Sequence, residues 1–246
     1  MRILINGIGG HMGREVEKLV LAGYRGAELA GGVDPFVEGR DDCVKSLNDA
    51  PTDVDCIVDF SHHSCTAELL DYAITRKLPV VLATTGQTEE EKQMIRDAAG
   101  KIPVFYAANY SLGIALLAEM AKKVAATMPE AEIEIIEKHH DRKLDAPSGT
   151  ALALAEAIRE VRPDSNPVCG RSGQGKRTPG EIGIHAIRMG NIVGEHEIMI
   201  GTPNQTITLK HEAHDRALFA EGALAAAEFL AGQQAGFYDM KSLVSF

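Results

Sequence analysis

The 246-residue sequence predicts an α/β protein of two domains, a parallel-sheet domain and an α+β domain whose sheet is mixed and largely antiparallel. Three observations carry that expectation. Strand and helix signals alternate through the first 110 residues, as repeated βα units under a doubly covered parallel sheet do. A glycine-rich turn stands between the first strand and the first helix. After residue 111 the rhythm changes to longer alternating strands separated by turn residues. The first domain is expected to comprise 1–110 and 216–246, and the second, inserted, 111–215.

Taken in order, 2–6 is a short apolar strand, 7–13 a glycine turn, and 14–22 a helix carrying Val16, Leu19 and Val20 among charges. Strands are predicted at 28–34, 54–60, 79–83 and 104–107, with helices at 64–77 and 89–99 between them. A helix at 114–127 leads to an alternating strand at 131–136, followed by a histidine-containing run and a helix at 150–161. The stretch 163–179, rich in Gly, Pro and Arg, reads as a loop. Strands at 182–189, 194–201 and 205–213 are joined by Gly190-Asn191 and Pro203-Asn204, as in an antiparallel sheet. An Ala- and Leu-rich helix at 216–231 returns to the first domain.

Bulk properties exclude several classes. A formal charge of −10 argues against nucleic acid and against an anionic membrane surface, both of which need clustered Lys and Arg. No apolar run approaches the roughly 18–20 residues that cross a bilayer, and the chain starts on a strand rather than a signal peptide. Cys43, Cys56, Cys65 and Cys169 show no CxxC spacing, so reduced structural thiols and a cytoplasmic location are expected.

Gly7-Ile8-Gly9-Gly10-His11-Met12-Gly13 fits G-x-G-x-x-G between a strand and a helix, the pattern of a Rossmann-type dinucleotide site. Its first glycine permits a tight turn, its second lets backbone approach a pyrophosphate, and its third lets helix and strand pack closely. Asp34 ends the second strand where a ribose-binding acid belongs. A carboxylate there accepts from a ribose 2′-OH and repels a 2′-phosphate. The next residue is Pro35, not an arginine, so NADH is expected to be preferred over NADPH, with His11, Arg14 and Arg40 as groups able to compensate. A glycine turn with no ligand is the alternative.

The run from Glu137 to Thr150 gathers titratable groups ahead of a helix start. Histidine as a residue type changes charge near neutrality, which suits His139 to deliver a proton as hydride arrives, and Lys143 is suited to supply a second positive charge or proton. The Ser148-Gly149-Thr150 turn offers N–H and hydroxyl donors to a substrate carboxylate. A helix cap with no ligand, a solvated loop or a metal held by the histidine pair are the alternatives, although no familiar metal-ligand spacing is present.

These motifs resemble those of the 4-hydroxy-tetrahydrodipicolinate (dihydrodipicolinate) reductase family of diaminopimelate–lysine biosynthesis. The resemblance covers nearly the whole chain: GIGGHMGR at the first turn, ATTG at 83–86, AANYSLG at 107–113, EKHHDRKLDAPSGTA at 137–151 and GEHE at 194–197. It implies NAD(P)H-dependent reduction of a small cyclic dicarboxylate. It further implies His139 as proton donor and acceptor, Lys143 as proton donor, and His140, Gly149 and Thr150 as substrate contacts. Gly7 to Met12, Asp34, Ala83, Thr84, Thr85, Ala107, Ala108, Asn109 and Tyr110 are implied to touch the cofactor, and a homotetramer is implied to form through the sheet of the second domain. Ala83 departs from the family's usual glycine, and the stretch between the second and third strands is short. Closure about junctions near Ser111 and Asp215 is expected to exclude water. A binding-only redox sensor, or another two-domain dehydrogenase, is the competing reading.

Overall fold

The computed structural model describes residues 1–244. The last two residues of the expected first domain, 245 and 246, lie outside the described residues. In chain order the elements are β1 (Arg2–Asn6), α1 (His11–Leu21), β2 (Glu28–Val33), β3 (Cys43–Val44), β4 (Cys56–Asp59), α2 (Thr66–Arg76), β5 (Val80–Leu82), α3 (Glu89–Ala99) and β6 (Pro103–Tyr106). They continue with α4 (Leu112–Thr127), β7 (Glu132–His139), α5 (Gly149–Arg159), β8 (Asn166–Cys169), β9 (Glu181–Arg188), β10 (Gly194–Thr202) and β11 (Gln205–Ala213). The last are α6 (Ala217–Leu230), β12 (Gly236–Tyr238) and α7 (Met240–Val244). The described residues form two compact units, 1–112 with 217–244, and Gly113–Arg216. No described helix is long and apolar enough to cross a membrane.

In the first unit seven strands lie in the order β12-β6-β5-β4-β1-β2-β3, all parallel. Ile3, Leu4 and Ile5 are each fully buried, since helices cover both faces and leave no polar side to alternate with. The chain leaves β1 toward β2 on one side, while β4 lies on the other. The strand order therefore reverses between β1 and β4, and in open parallel sheets ligands bind beyond the carboxyl ends of strands at such a point. Of the helices, α3 has a reciprocal capping box in which Thr88 and Glu91 satisfy each other's backbone N–H groups.

The second unit holds a five-stranded sheet in the order β11-β10-β7-β9-β8. β10 runs antiparallel to β11 and β7, while β7, β9 and β8 are mutually parallel. Leu117, Ala121 and Ala125 of α4 and Leu154 and Ile158 of α5 pack on one face, against Ile133, Ile135, Ile182, Ile184, Ile198 and Ile200.

Four local expectations are corrected. The first helix begins at His11 rather than 14, because Gly10 adopts the extended conformation of a cap and the last three residues of the glycine motif are helical. The strands at 181–188 and 194–202 are not neighbours, since β7 lies between them. Pairing on both sides of β7 gives it two ladders and brings Ile133 and Ile135 to the middle of the helix-covered face. The stretch 163–179 contains an edge strand, β8, where Pro167 is tolerated because an edge leaves N–H groups unpaired. Finally, β7 continues three residues past the apolar alternation and carries His139 as its last residue.

Candidate active site

At the end of β1 the chain turns sharply. Gly7 has φ +83°, and a Cβ there would lie 2.7 Å from the Phe60 carbonyl oxygen. A Cβ on Gly13 would fall on the Gly7 carbonyl oxygen, so α1 meets the strand without an intervening side chain. Ile8 points inward against Gly32, leaving only its backbone at the turn. Gly10 N–H donates to the Gly7 carbonyl at 3.1 Å, closing the turn ahead of α1. Asp34, almost fully buried just after β2, accepts the Gly9 N–H at 3.0 Å and the Phe36 N–H at 2.9 Å. The carboxylate thus reaches back to the glycine turn, beside where a ribose attached to a phosphate would lie.

A cleft of about 590 Å³ opens at the same edge, lined by His11, Met12, Phe60, Ser61, His62, Ala83, Thr84, Thr85, Ala108, Asn109, Tyr110 and Phe219. Of the expected cofactor residues, eight line this cleft. Gly7, Ile8, Gly9, Gly10, Gly13 and Asp34 form the neighbouring turn, and half-buried Ala107 lies outside the lining. The cradle that a Cβ would fill, the helix start and the adjoining cleft fit a nicotinamide dinucleotide.

Beneath the cleft lies an anchor that sequence reasoning did not single out. Asp59 is buried at the end of β4 and accepts from Asn6 Nδ2 at 2.8 Å, Ser61 Oγ at 2.6 Å and Thr84 Oγ1 at 2.7 Å. Burial pushes its carboxyl upward against those donors. The Thr84 hydroxyl is therefore committed to Asp59, and its carbonyl accepts from Gln87 at 2.8 Å. Tyr110 is equally structural at its tip: its hydroxyl donates to the Leu82 carbonyl at 2.8 Å, and burial raises its phenol well above the usual range.

In the second unit the alternation of β7 explains the site. Ile133, Ile135, Glu137 and His139 all point to the buried face. Glu137 is completely buried and surrounded by donors: Arg188 Nη1 on Oε2 at 2.8 Å, Arg188 Nη2 on Oε1 at 2.7 Å, and the Ser148 N–H on Oε1 at 2.9 Å. His139 Nδ1 lies 2.6 Å from Oε2. Burial alone would raise this carboxyl, but Arg188, His139 and the Ser148 N–H outweigh it and hold it below the ordinary glutamate value.

Ser148 caps α5, its hydroxyl accepting the Ala151 N–H at 3.2 Å, and the same oxygen lies 3.2 Å from His196 Nε2. The His196 ring meets that of His139 edge-on at 5.2 Å. Burial, together with the neighbouring His139, pushes His196 down to about 4. Gly149 is exposed at the helix start, and a Cβ there would meet nothing within 4 Å. Lys143 Nζ lies 2.7 Å from Asp145 Oδ1. His140 follows directly, its acidity strengthened by burial and then by Arg142, Arg216, His139 and Lys143. His139, His140, Lys143, Ser148, Gly149 and Thr150 thus lie on one strand end, one loop and one helix start. Glu137, Arg188 and His196 were missed as individual residues. Two-residue periodicity carried on from Ile133 and Ile135 would have found Glu137.

The first unit's switch-point cradle and the second unit's histidine, lysine and helix start define the class, a two-unit reductase dependent on a nicotinamide dinucleotide. Family models described as dihydrodipicolinate reductase, N-terminus and C-terminus, match residues 1–110 and 113–244. The chain belongs to the dihydrodipicolinate reductase family. A 4-hydroxy-tetrahydrodipicolinate reductase of Caldanaerobacter subterraneus subsp. tengcongensis is 44% identical, over 99% of this chain and 98% of the relative. One from Clostridium novyi is 39% identical over 99% and 98%. The dipicolinate-bound dihydrodipicolinate reductase from Paenisporosarcina sp. TG-14 superposes with a TM-score of 0.81 over 97% of each chain at 26% identity. These relatives are reductases, which favours catalysis over a binding-only sensor.

Proposed function

We propose that this chain reduces 4-hydroxy-tetrahydrodipicolinate, through dihydrodipicolinate, to tetrahydrodipicolinate, as a step of diaminopimelate–lysine biosynthesis. The observation that carries this reading is the buried His139–Glu137 pair beside the open start of α5. Net chemistry adds a hydride and a proton to the ring and releases water from the hydroxylated precursor. A bound reduced nicotinamide dinucleotide supplies the hydride. The turn at Gly7, Ile8, Gly9, Gly10, His11, Met12 and Gly13 would hold its pyrophosphate, Asp34 its ribose, and the cleft at Ala83, Thr84, Thr85, Ala108, Asn109 and Tyr110 the remainder, with Ala107 behind it.

His139 holds a proton at Nε2 and delivers it, because Nδ1 is engaged by Glu137. Lys143 leaves Asp145 for the substrate and supports developing negative charge. The Gly149 and Thr150 N–H groups take one ring carboxylate at the positive end of α5, with Ser148 shaping the turn and His140 beside it. Optical assay of NADH oxidation with freshly made substrate tests the reading, and tight cofactor binding without turnover would overturn it.

NADH is the preferred cofactor in this proposal. Asp34 occupies the ribose position, and Arg40, a basic side chain nearby, is held by Glu17 and Asp42. Comparable kcat/KM values for NADH and NADPH at low salt would refute the preference. The working form is proposed to be a homotetramer joined through the uncovered face of the five-stranded sheet, on which Ile136, Ile187 and Met199 stand partly exposed. Four free thiols support a reducing, cytoplasmic location.

A further inference from the structure

We propose that Glu137 is the positioning residue that selects which nitrogen of His139 exchanges its proton, and that with Arg188 it locks this histidine to the start of the carboxylate-binding helix. The inference rests on the function proposed above.

A carboxylate only accepts hydrogen bonds. With Glu137 Oε2 at 2.6 Å, His139 Nδ1 must be the donor in both the charged and the neutral ring. Nε2 is then the atom that gives up its proton to the substrate and regains one from solvent, while the Nδ1 proton stays in place. The bidentate Arg188 contact at 2.7 and 2.8 Å keeps Glu137 ionised, so the carboxylate does not take the histidine's proton for itself. The Ser148 N–H on Oε1 at 2.9 Å makes the same carboxylate the anchor of α5's first turn. One buried group therefore sets the distance between the proton donor and the proposed carboxylate grip.

The charged and titratable groups around His139 are Glu137 on its own strand, Arg188 on β9 and His196 on β10, with His140 and Lys143 on the loop that follows. Of these only Glu137 is negative and in contact, so its removal has a definite electrostatic sign.

The test uses the full chain with Glu137→Gln, Glu137→Asp and the double variant Glu137→Gln/Arg188→Met. The double variant removes both charges of the buried pair and so avoids an unpaired guanidinium if the single amide fails to fold. Two measurements are made: the pH dependence of kcat/KM, and ¹⁵N spectra of the histidine side chains.

The proposal expects neutral His139 to carry its proton on Nδ1 in the wild type and in Glu137→Asp, and on Nε2 or both in the Gln variants. It expects kcat/KM to fall about 10²-fold in the Gln variants. It also expects their basic limb to move about one pH unit or more to lower pH, with the Asp variant retaining the wild-type profile. A Gln variant with the Nδ1 tautomer intact, an unmoved profile and turnover within about threefold of wild type would overturn it. The spectra require no turnover. They judge Glu137 even if the wild type proves inactive, a result that would instead refute the proposed function.

Discussion

His139 is held on both sides, by Glu137 at Nδ1 and by the His196 ring at 5.2 Å, whereas Lys143 sits on a loop with its ammonium on Asp145. The two groups should therefore fail differently when changed. His139→Gln is expected to lower kcat by about 10²–10³, with little effect on cofactor affinity. Lys143→Ala is expected to lower kcat comparably and, if its ammonium also draws the dicarboxylate, to raise KM for the substrate as well. Steady-state kinetics separates them, and near-wild-type turnover in His139→Gln would remove it from its role. His196 makes a prediction about stability. Its folded value, about 4, lies below the unfolded 6.5, so the fold prefers the neutral ring. That contribution is complete above pH 6.5 and is lost as pH falls from 6.5 to 4, amounting to roughly 3 kcal/mol at the low end. Denaturant midpoints should show His196→Gln losing less stability than wild type over that window, and equal losses would refute the assignment. His139, Lys143 and the small residues of the helix start were legible in the sequence because their residue types announce chemistry. Glu137 and Arg188 were not: counting only apolar residues ends the strand at Ile136, and a glutamate is recognisable as inward-facing only once its arginine, fifty-one residues away, is known.

At the scale of elements, the strand–turn–helix at the start of the chain was readable in order and kind, the helix start lying three residues earlier than its charges and apolar spacing suggest. A tight turn and a close helix approach admit few alternatives to glycine. Gly13→Ala tests this directly. Its Cβ would fall on the Gly7 carbonyl oxygen, so α1 must move away from the turn that presents N–H donors. Calorimetric titration is expected to show NADH affinity reduced by tenfold or more, alongside a stability loss of about 1–3 kcal/mol. An unchanged dissociation constant would mean that the turn does not carry the pyrophosphate. What the sequence did not show was pairing. The strands at 182–189 and 194–201 look like hairpin partners because turn residues join them, yet each pairs with β7, whose own sequence neighbours are helices. Alternation tells which face a residue takes and is silent on which strand lies beside it. The edge strand β8 was hidden for a related reason: it has only four residues, one of them proline.

On the scale of the whole molecule, the unexplained surface is the face of the five-stranded sheet opposite α4 and α5. It carries Ile136, Met199 and Ile187, the last 40% exposed. Around them run ion pairs between Lys138 and Glu195 at 2.9 Å and between His185 and Glu134 at 2.8 Å. Apolar residues ringed by paired charges match the core and rim of a protein–protein interface more closely than a solvated sheet face, which usually alternates to polar throughout. A face that joins a second copy of itself must be self-complementary, and the opposite charges spread across these strands permit that. Light scattering is expected to give a mass four times the 26.4 kDa chain. Met199→Asp with Ile187→Asp places two unpaired carboxylates in the apolar centre, where neither Lys138 nor Arg177 is free to meet them. The mass should fall to that of a dimer or monomer, while NADH binding, proposed to lie on the other compact unit, should persist. A wild-type chain already monomeric at micromolar concentration, or a double variant that remains tetrameric, would show that this face is not the joining surface.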